Sequence, residues 1–154
     1  MKVILSFLIF AFILPVFAGE AKPVKISPET TLSAIKSYKA APLAVAAAGS
    51  LATVLDFADQ SKDISVDIRQ EYFPWSLGKI EPKFESKFIG AFVAGNVEYQ
   101  LINKVNKNTP VEGVKLILYT YEKLREKNMF PKDEKFEKWL AWKEKGVLSN
   151  KLKI

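Results

Sequence analysis

The stretch Pro82-Lys83-Phe84-Glu85-Ser86-Lys87-Phe88-Ile89-Gly90-Ala91-Phe92-Val93-Ala94-Gly95-Asn96-Val97-Glu98-Tyr99-Gln100-Leu101-Ile102-Asn103-Lys104-Val105 decides the fold. Phe84, Phe88, Phe92, Gly95, Tyr99 and Ile102 recur at steps of three and four, the spacing of one helix face. Ile89, Val93 and Val97 widen that stripe until the middle is apolar nearly all round. Such a segment predicts a central helix over 82–105, buried on several sides. Gly90 with Ala94, and Ala91 with Gly95, are small residues four apart. A glycine in a helix interior costs roughly 0.8–1.0 kcal/mol against alanine, so close packing of a second helix is the expected compensation. A backbone site for a ligand is the alternative. Asn96 sits in the most apolar part, where an amide without partners costs on the order of 1–3 kcal/mol. It is expected to bond the backbone of the 61–82 connector described below.

Toward the C-terminus, Thr109-Pro110-Val111-Glu112 reads as a capping box, with threonine as cap and glutamate bonding back. Val111, Val114, Ile117 or Leu118, Tyr121 and Leu124 give the next helix its buried stripe. Asn128 is placed to close it in a left-handed conformation. A last helix is expected from Lys132 or Asp133 to Lys145, with Phe136, Trp139 and Leu140 inward and Gly146 as its terminator. Residues 148–154 are expected to form a basic tail that frays.

Toward the N-terminus, Ser27-Pro28-Glu29 opens a helix, because serine caps, proline fits the first position and glutamate suits the positive end. Leu32, Ile35 and Tyr38 make its face, and Pro42 ends it. An alanine-rich core helix is expected over 42–60. Residues 61–82 differ: Ile64, Val66 and Ile68 alternate with Ser65, Asp67 and Arg69 in a period of two. A single strand has no partner to pair with, so this is read as an extended connector packed on the helices, with a small hairpin as the alternative. The fold class is therefore all-α: one compact bundle of four or five helices over 28–147, with a long irregular connector at 61–82.

The chain opens with Met1-Lys2, an uncharged apolar run to Leu14, then Pro15-Val16-Phe17-Ala18. A basic start, an apolar middle and small residues before the cut are the parts of a secretory signal. Residues 1–18 are expected to be a cleaved signal peptide, followed by a short lead-in at 19–27. The protein is thus expected in the periplasm or outside the cell, with no stable membrane span after cleavage.

Cysteine and histidine are both absent. That removes Ser-His-Asp and Cys-His triads, imidazole acid–base chemistry, and metal or haem held by His or Cys. No cofactor is expected. Cleavage at Ala18 removes Lys2, leaving one positive charge fewer than the chain's +6. With that modest balance, an exported chain is not expected to meet nucleic acid.

Asp56, Asp59, Asp63 and Asp67 are spaced by three and four, but the helix should end before Asp63, so a solvated acidic edge is preferred to a metal site. Arg69, Glu71, Tyr72 and Trp75 gather charge and rings in one irregular segment, the composition of a small-molecule or partner cleft. No catalytic residue is assigned. The preferred function is a non-enzymatic binding module whose partner is a protein or small molecule of the cell envelope. One alternative is a carboxylate-dependent hydrolase of envelope polysaccharide, pairing Glu71 with Glu81 or Glu85. The other is a membrane-surface accessory protein resting on Trp139, Trp142 and Lys138.

Overall fold

The computed structural model describes residues 25–76 and 79–154; the expected leader and most of the lead-in lie outside the described residues. Within them the chain forms α1 Pro28–Ala40, α2 Ala47–Gln60, a short 3-10 turn Gln70–Tyr72, α3 Pro82–Asn103, α4 Pro110–Glu126, α5 Glu134–Glu144 and α6 Leu148–Leu152. No strand occurs among the described residues. The all-α class stands.

Ser27 caps α1, its Oγ accepting the Thr30 N–H at 3.2 Å. Ile35 and Tyr38 are fully buried, and the helix stops two residues before Pro42, whose ring disfavours helical backbone ahead of it. The next helix starts later than the expected residue 42. Residues 41–46 instead make tight turns, with Ala44 N–H bonded to Ala41 O and Ala47 N–H to Ala44 O. Pro42 is buried there, and the turns bring α2 back against α1.

α3 packs against α1, α2 and α4, and Gly90 through Val97 are all buried. The glycines explain how. A Cβ on Gly95 would lie 2.8 Å from the Glu112 carbonyl carbon and 2.9 Å from Gly113 Cα. A Cβ on Gly113 would lie 2.6 Å from the Phe92 carbonyl oxygen. Here α3 and α4 touch backbone to backbone, which side chains at either position would prevent. Gly90 instead makes room for a side chain: a Cβ there would lie 2.9 Å from Leu51 Cδ1 of α2.

Three local expectations are corrected. Tyr99 and Ile102, placed on the buried stripe, are 40% and 62% exposed, while Gln100 is buried. The last turns of α3 are covered by the connector on the Gln100 side, so the buried face rotates away from the simple repeat. Asn96 does not reach the connector: its Oδ1 accepts the Thr109 N–H at 2.7 Å, and its Nδ2 donates to Phe92 O at 3.2 Å. The capping box of α4 does not form either. The Thr109 hydroxyl turns to Asn96 Oδ1, 3.2 Å away, and Glu112 accepts from Lys115 instead. A buried amide oxygen takes both donors that Thr109 offers.

α4 and α5 end as their sequences indicate. Asn128 and Gly146 are left-handed, at φ 54° and 67°, and the following N–H groups of Met129 and Val147 bond back to Leu124 O and Trp142 O. Asp133 caps α5 through the Lys135 and Phe136 N–H groups. The residues expected to fray form α6, because Leu148 is buried and Leu152 and Ile154 pack on the core.

Candidate functional site

The connector is fixed to the bundle by polar side chains along its length. Gln100 clamps Ser65, its Oε1 accepting the Ser65 N–H at 2.9 Å and its Nε2 donating to Ser65 O at 2.8 Å. Asn108 Oδ1 accepts from Asp67 N–H, and Asn106 Nδ2 donates to Lys62 O. Ile64 and Val66 pack on the core, and Ile68 is exposed. The chain is extended, as the alternating pattern implies, yet it pairs with side chains rather than with a second strand.

Beyond Arg69 the chain turns and drives three rings inward. Tyr72, Phe73 and Trp75 are all buried. Tyr72 stacks on Phe92, with ring centroids 5.7 Å apart, and Phe73 contacts both Phe92 and Trp75. Trp75 lies parallel to Phe136 at 5.7 Å and tilts against Phe88. Its indole N–H donates to Glu85 at 3.2 Å, and Gln70 Nε2 donates to Trp75 O. Phe136 in turn stacks on Tyr121 at 4.4 Å. This aromatic group ties the connector to α3, α4 and α5.

The four candidate residues are therefore divided. Arg69 and Glu71 are exposed, and they border an open hollow of about 480 Å³ with Tyr72, Asn108, Pro110 and Lys153. Trp75 lies in the core and does not line that hollow. Arg69 bonds the Asp67 carboxylate and lies 3.8 Å from Glu71, so one guanidinium serves two acids. The bond to Asp67, with its charge, holds the Arg69 proton more firmly than usual. Exposed pairs of this kind add little stability, but they fix where the charges stand.

The acids offered for hydrolysis are not gathered here. Glu71 borders the hollow, while Glu85 receives the Trp75 indole N–H and Glu81 pairs with Lys83 at 2.8 Å. Of the surface alternative, Trp139 is buried in the core, Trp142 is half-buried, and Lys138 Nζ stands 5.0 Å from the Trp142 ring. Asp56, Asp59 and Asp63 are exposed, and no group of three acids among the described residues converges on one point.

Two further hollows carried no clear sequence signal. One, of about 320 Å³, runs between α3 and α4 beside Tyr99, Ile102 and Tyr119, with the Lys39–Glu98 ion pair at its edge. The other, of about 470 Å³, lies by Ile26, Phe57, Lys62 and Leu101. Both depend on contacts between residues far apart in the chain, which periodicity does not report. No protein-family model matches the chain, and no curated protein or solved structure is significantly similar to it.

Proposed function

We propose that this chain is exported on the leader at residues 1–18 and acts as a non-enzymatic binding protein of the cell envelope. Its partner, a protein or a small polar ligand, engages the turn that carries Arg69 and Glu71. One observation supports this reading above the others: the turn is anchored by three buried rings while its two charged residues face out beside an open hollow. A charged turn held rigid before contact loses little freedom on binding, which favours recognition. No helix among the described residues is long and apolar enough to cross a membrane.

Export is tested by fractionation with N-terminal sequencing of the purified protein, which should begin at Gly19. The site is tested by a photo-crosslinking residue at position 71, with position 36 on α1 as a control. A discrete adduct from position 71 alone, lost on Arg69→Ala, is expected. Equal labelling from both positions would remove the site. Trp75→Ala is a poor probe, because it deletes a core ring and costs about 3–5 kcal/mol of stability.

A further inference from the structure

Positive charge is concentrated at one end of the sequence. Between Lys127 and Ile154 there are eight lysines and four acidic side chains. α5 sorts them by flank. Lys135, Lys138, Trp142 and Lys145 step by three, four and three residues, so they follow one another along one side of the helix. Glu137 and Glu144 occupy the other side, and Glu137 accepts the Tyr121 hydroxyl at 2.7 Å. Glu134, in the first turn, is the acid at the end of the lysine stripe. Lys135, Lys138 and Lys145 are exposed, and among the described residues none of them joins a salt bridge. Lys143, by contrast, turns to Glu122 at 2.8 Å.

An indole completes the stripe. Trp142 is half-buried, with Lys138 Nζ 5.0 Å from its ring centroid. The other two tryptophans are committed to the core, Trp75 at 5% and Trp139 at 9% exposure. A lone partly exposed indole among lysines has the make-up of a contact with a lipid headgroup layer. The ring gains from the interface, and the ammonium groups meet phosphates.

We propose that this flank of α5 docks on an anionic phospholipid surface, with Trp142 at headgroup depth and Lys135, Lys138 and Lys145 on lipid phosphates. The apolar face of α5 is already spent on Phe136 and Trp139 inside the bundle, so the helix cannot sink into the acyl chains. Docking is peripheral, reversible and weakened by salt. It uses a different element from the Arg69–Glu71 turn, so either site can fail alone.

The protein as purified from cells is cosedimented with mixed phosphatidylglycerol–phosphatidylcholine vesicles and with phosphatidylcholine vesicles. Binding to the anionic vesicles only, falling as salt rises, is expected. The triple variant K135Q/K138Q/K145Q should bind them about 100-fold more weakly. The triple variant K36Q/K62Q/K107Q, which removes exposed lysines elsewhere, should keep most of the affinity. Brominated lipid should quench tryptophan emission in the parent and much less in Trp142→Phe. Equal binding to both kinds of vesicle, equal loss in the two triples, or capture by soluble heparin without vesicle binding would each overturn the proposal.

Discussion

Asn96, midway along α3, holds the first residue before α4: its Oδ1 accepts both the Thr109 N–H at 2.7 Å and the Thr109 hydroxyl at 3.2 Å. Thr109 therefore spends its side chain on another helix instead of on its own N–H groups. Asn96 is wholly buried, so removing it takes the protein partner away from the N–H of the part-buried Thr109. Asn96→Ala should lower stability by about 2–3 kcal/mol, and Thr109→Val, which keeps the N–H bond, by about 1 kcal/mol. Urea unfolding of both checks the order. Equal effects would mean that the hydroxyl, and not the N–H, is what Asn96 serves.

The α3–α4 crossing makes a sharper prediction, because the same substitution should change sign with position. Gly95→Ala and Gly113→Ala each place a methyl group under 3.0 Å from backbone atoms of the facing helix. Helix backbone cannot give way as a side-chain tip does, so each should cost about 3 kcal/mol or more. Gly49, within α2, has open space where its Cβ would be. Gly49→Ala should stabilise by about 0.5–1 kcal/mol, the gain in helix propensity. Thermal midpoints of the three variants are the readout, and a neutral Gly95→Ala would show that the helices separate at little expense.

These two sites also show what the sequence could and could not disclose. Gly95 stood out because it interrupts an apolar helix at a four-residue interval from Ala91. Gly113 lies in the mixed first turn Pro110-Val111-Glu112-Gly113 and offered no such contrast, although it is the other half of the same contact. The burial of α3 is written in an apolar pattern along a single helix, and the left-handed ends at Asn128 and Gly146 and the cap at Ser27 are set by residues within a turn of one another. The partners of Asn96 and Gln100 are not, since the amide of each can serve any backbone that the fold brings near. Arg69 and Glu71 were legible as a charged pair on an irregular segment. That Trp75, only a few residues on, belongs to the core depends on Phe88 and Phe136 meeting it from two other helices.

Gln100 controls how firmly the connector is held. Its amide makes both hydrogen bonds to Ser65, and its side chain is buried. Gln100→Ala should cost about 2 kcal/mol, and it should act locally before it acts globally. Limited proteolysis should cut within 61–69 faster than in the parent, while α3 and α4 stay protected from hydrogen exchange. Uniform loss of protection would show instead that the connector and the bundle unfold together.

The left-handed residue at the end of α3 is a lysine. Lys104 has φ 53°, and the following Val105 N–H bonds back to Gln100 O at 3.1 Å. The geometry is that of a glycine-terminated helix, carried by a residue with a Cβ. Lys104 is exposed, so its side chain is not needed for packing. Lys104→Gly should stabilise by about 0.5–1 kcal/mol through relief of that conformation, less the entropy a glycine adds to the unfolded chain. Chemical denaturation resolves a change of this size, and a loss of stability would show that the added chain entropy outweighs the strain relieved.

Two buried phenols make stability depend on pH in the alkaline range. Burial pushes Tyr38 up to about 12, against the opposing hydrogen bond with Thr120. Burial likewise raises Tyr121 to about 12, opposed by the N–H of Asp133. An unfolded tyrosine titrates near 10, so below about pH 10 both states keep these protons and stability is unaffected by them. From about pH 10 to 12 the unfolded chain releases protons that the folded chain retains, and stability falls as pH rises. Tyr38→Phe removes one of the two groups. At neutral pH it should cost about 1 kcal/mol, because Thr120 keeps its own bond to Leu116 O at 2.9 Å. Between pH 10 and 12 its stability should decline less steeply than that of the parent, so the two curves converge. Urea midpoints across that range, with phenolate absorbance followed in parallel, test the point. Parallel curves would place the Tyr38 hydroxyl in contact with water in the folded protein.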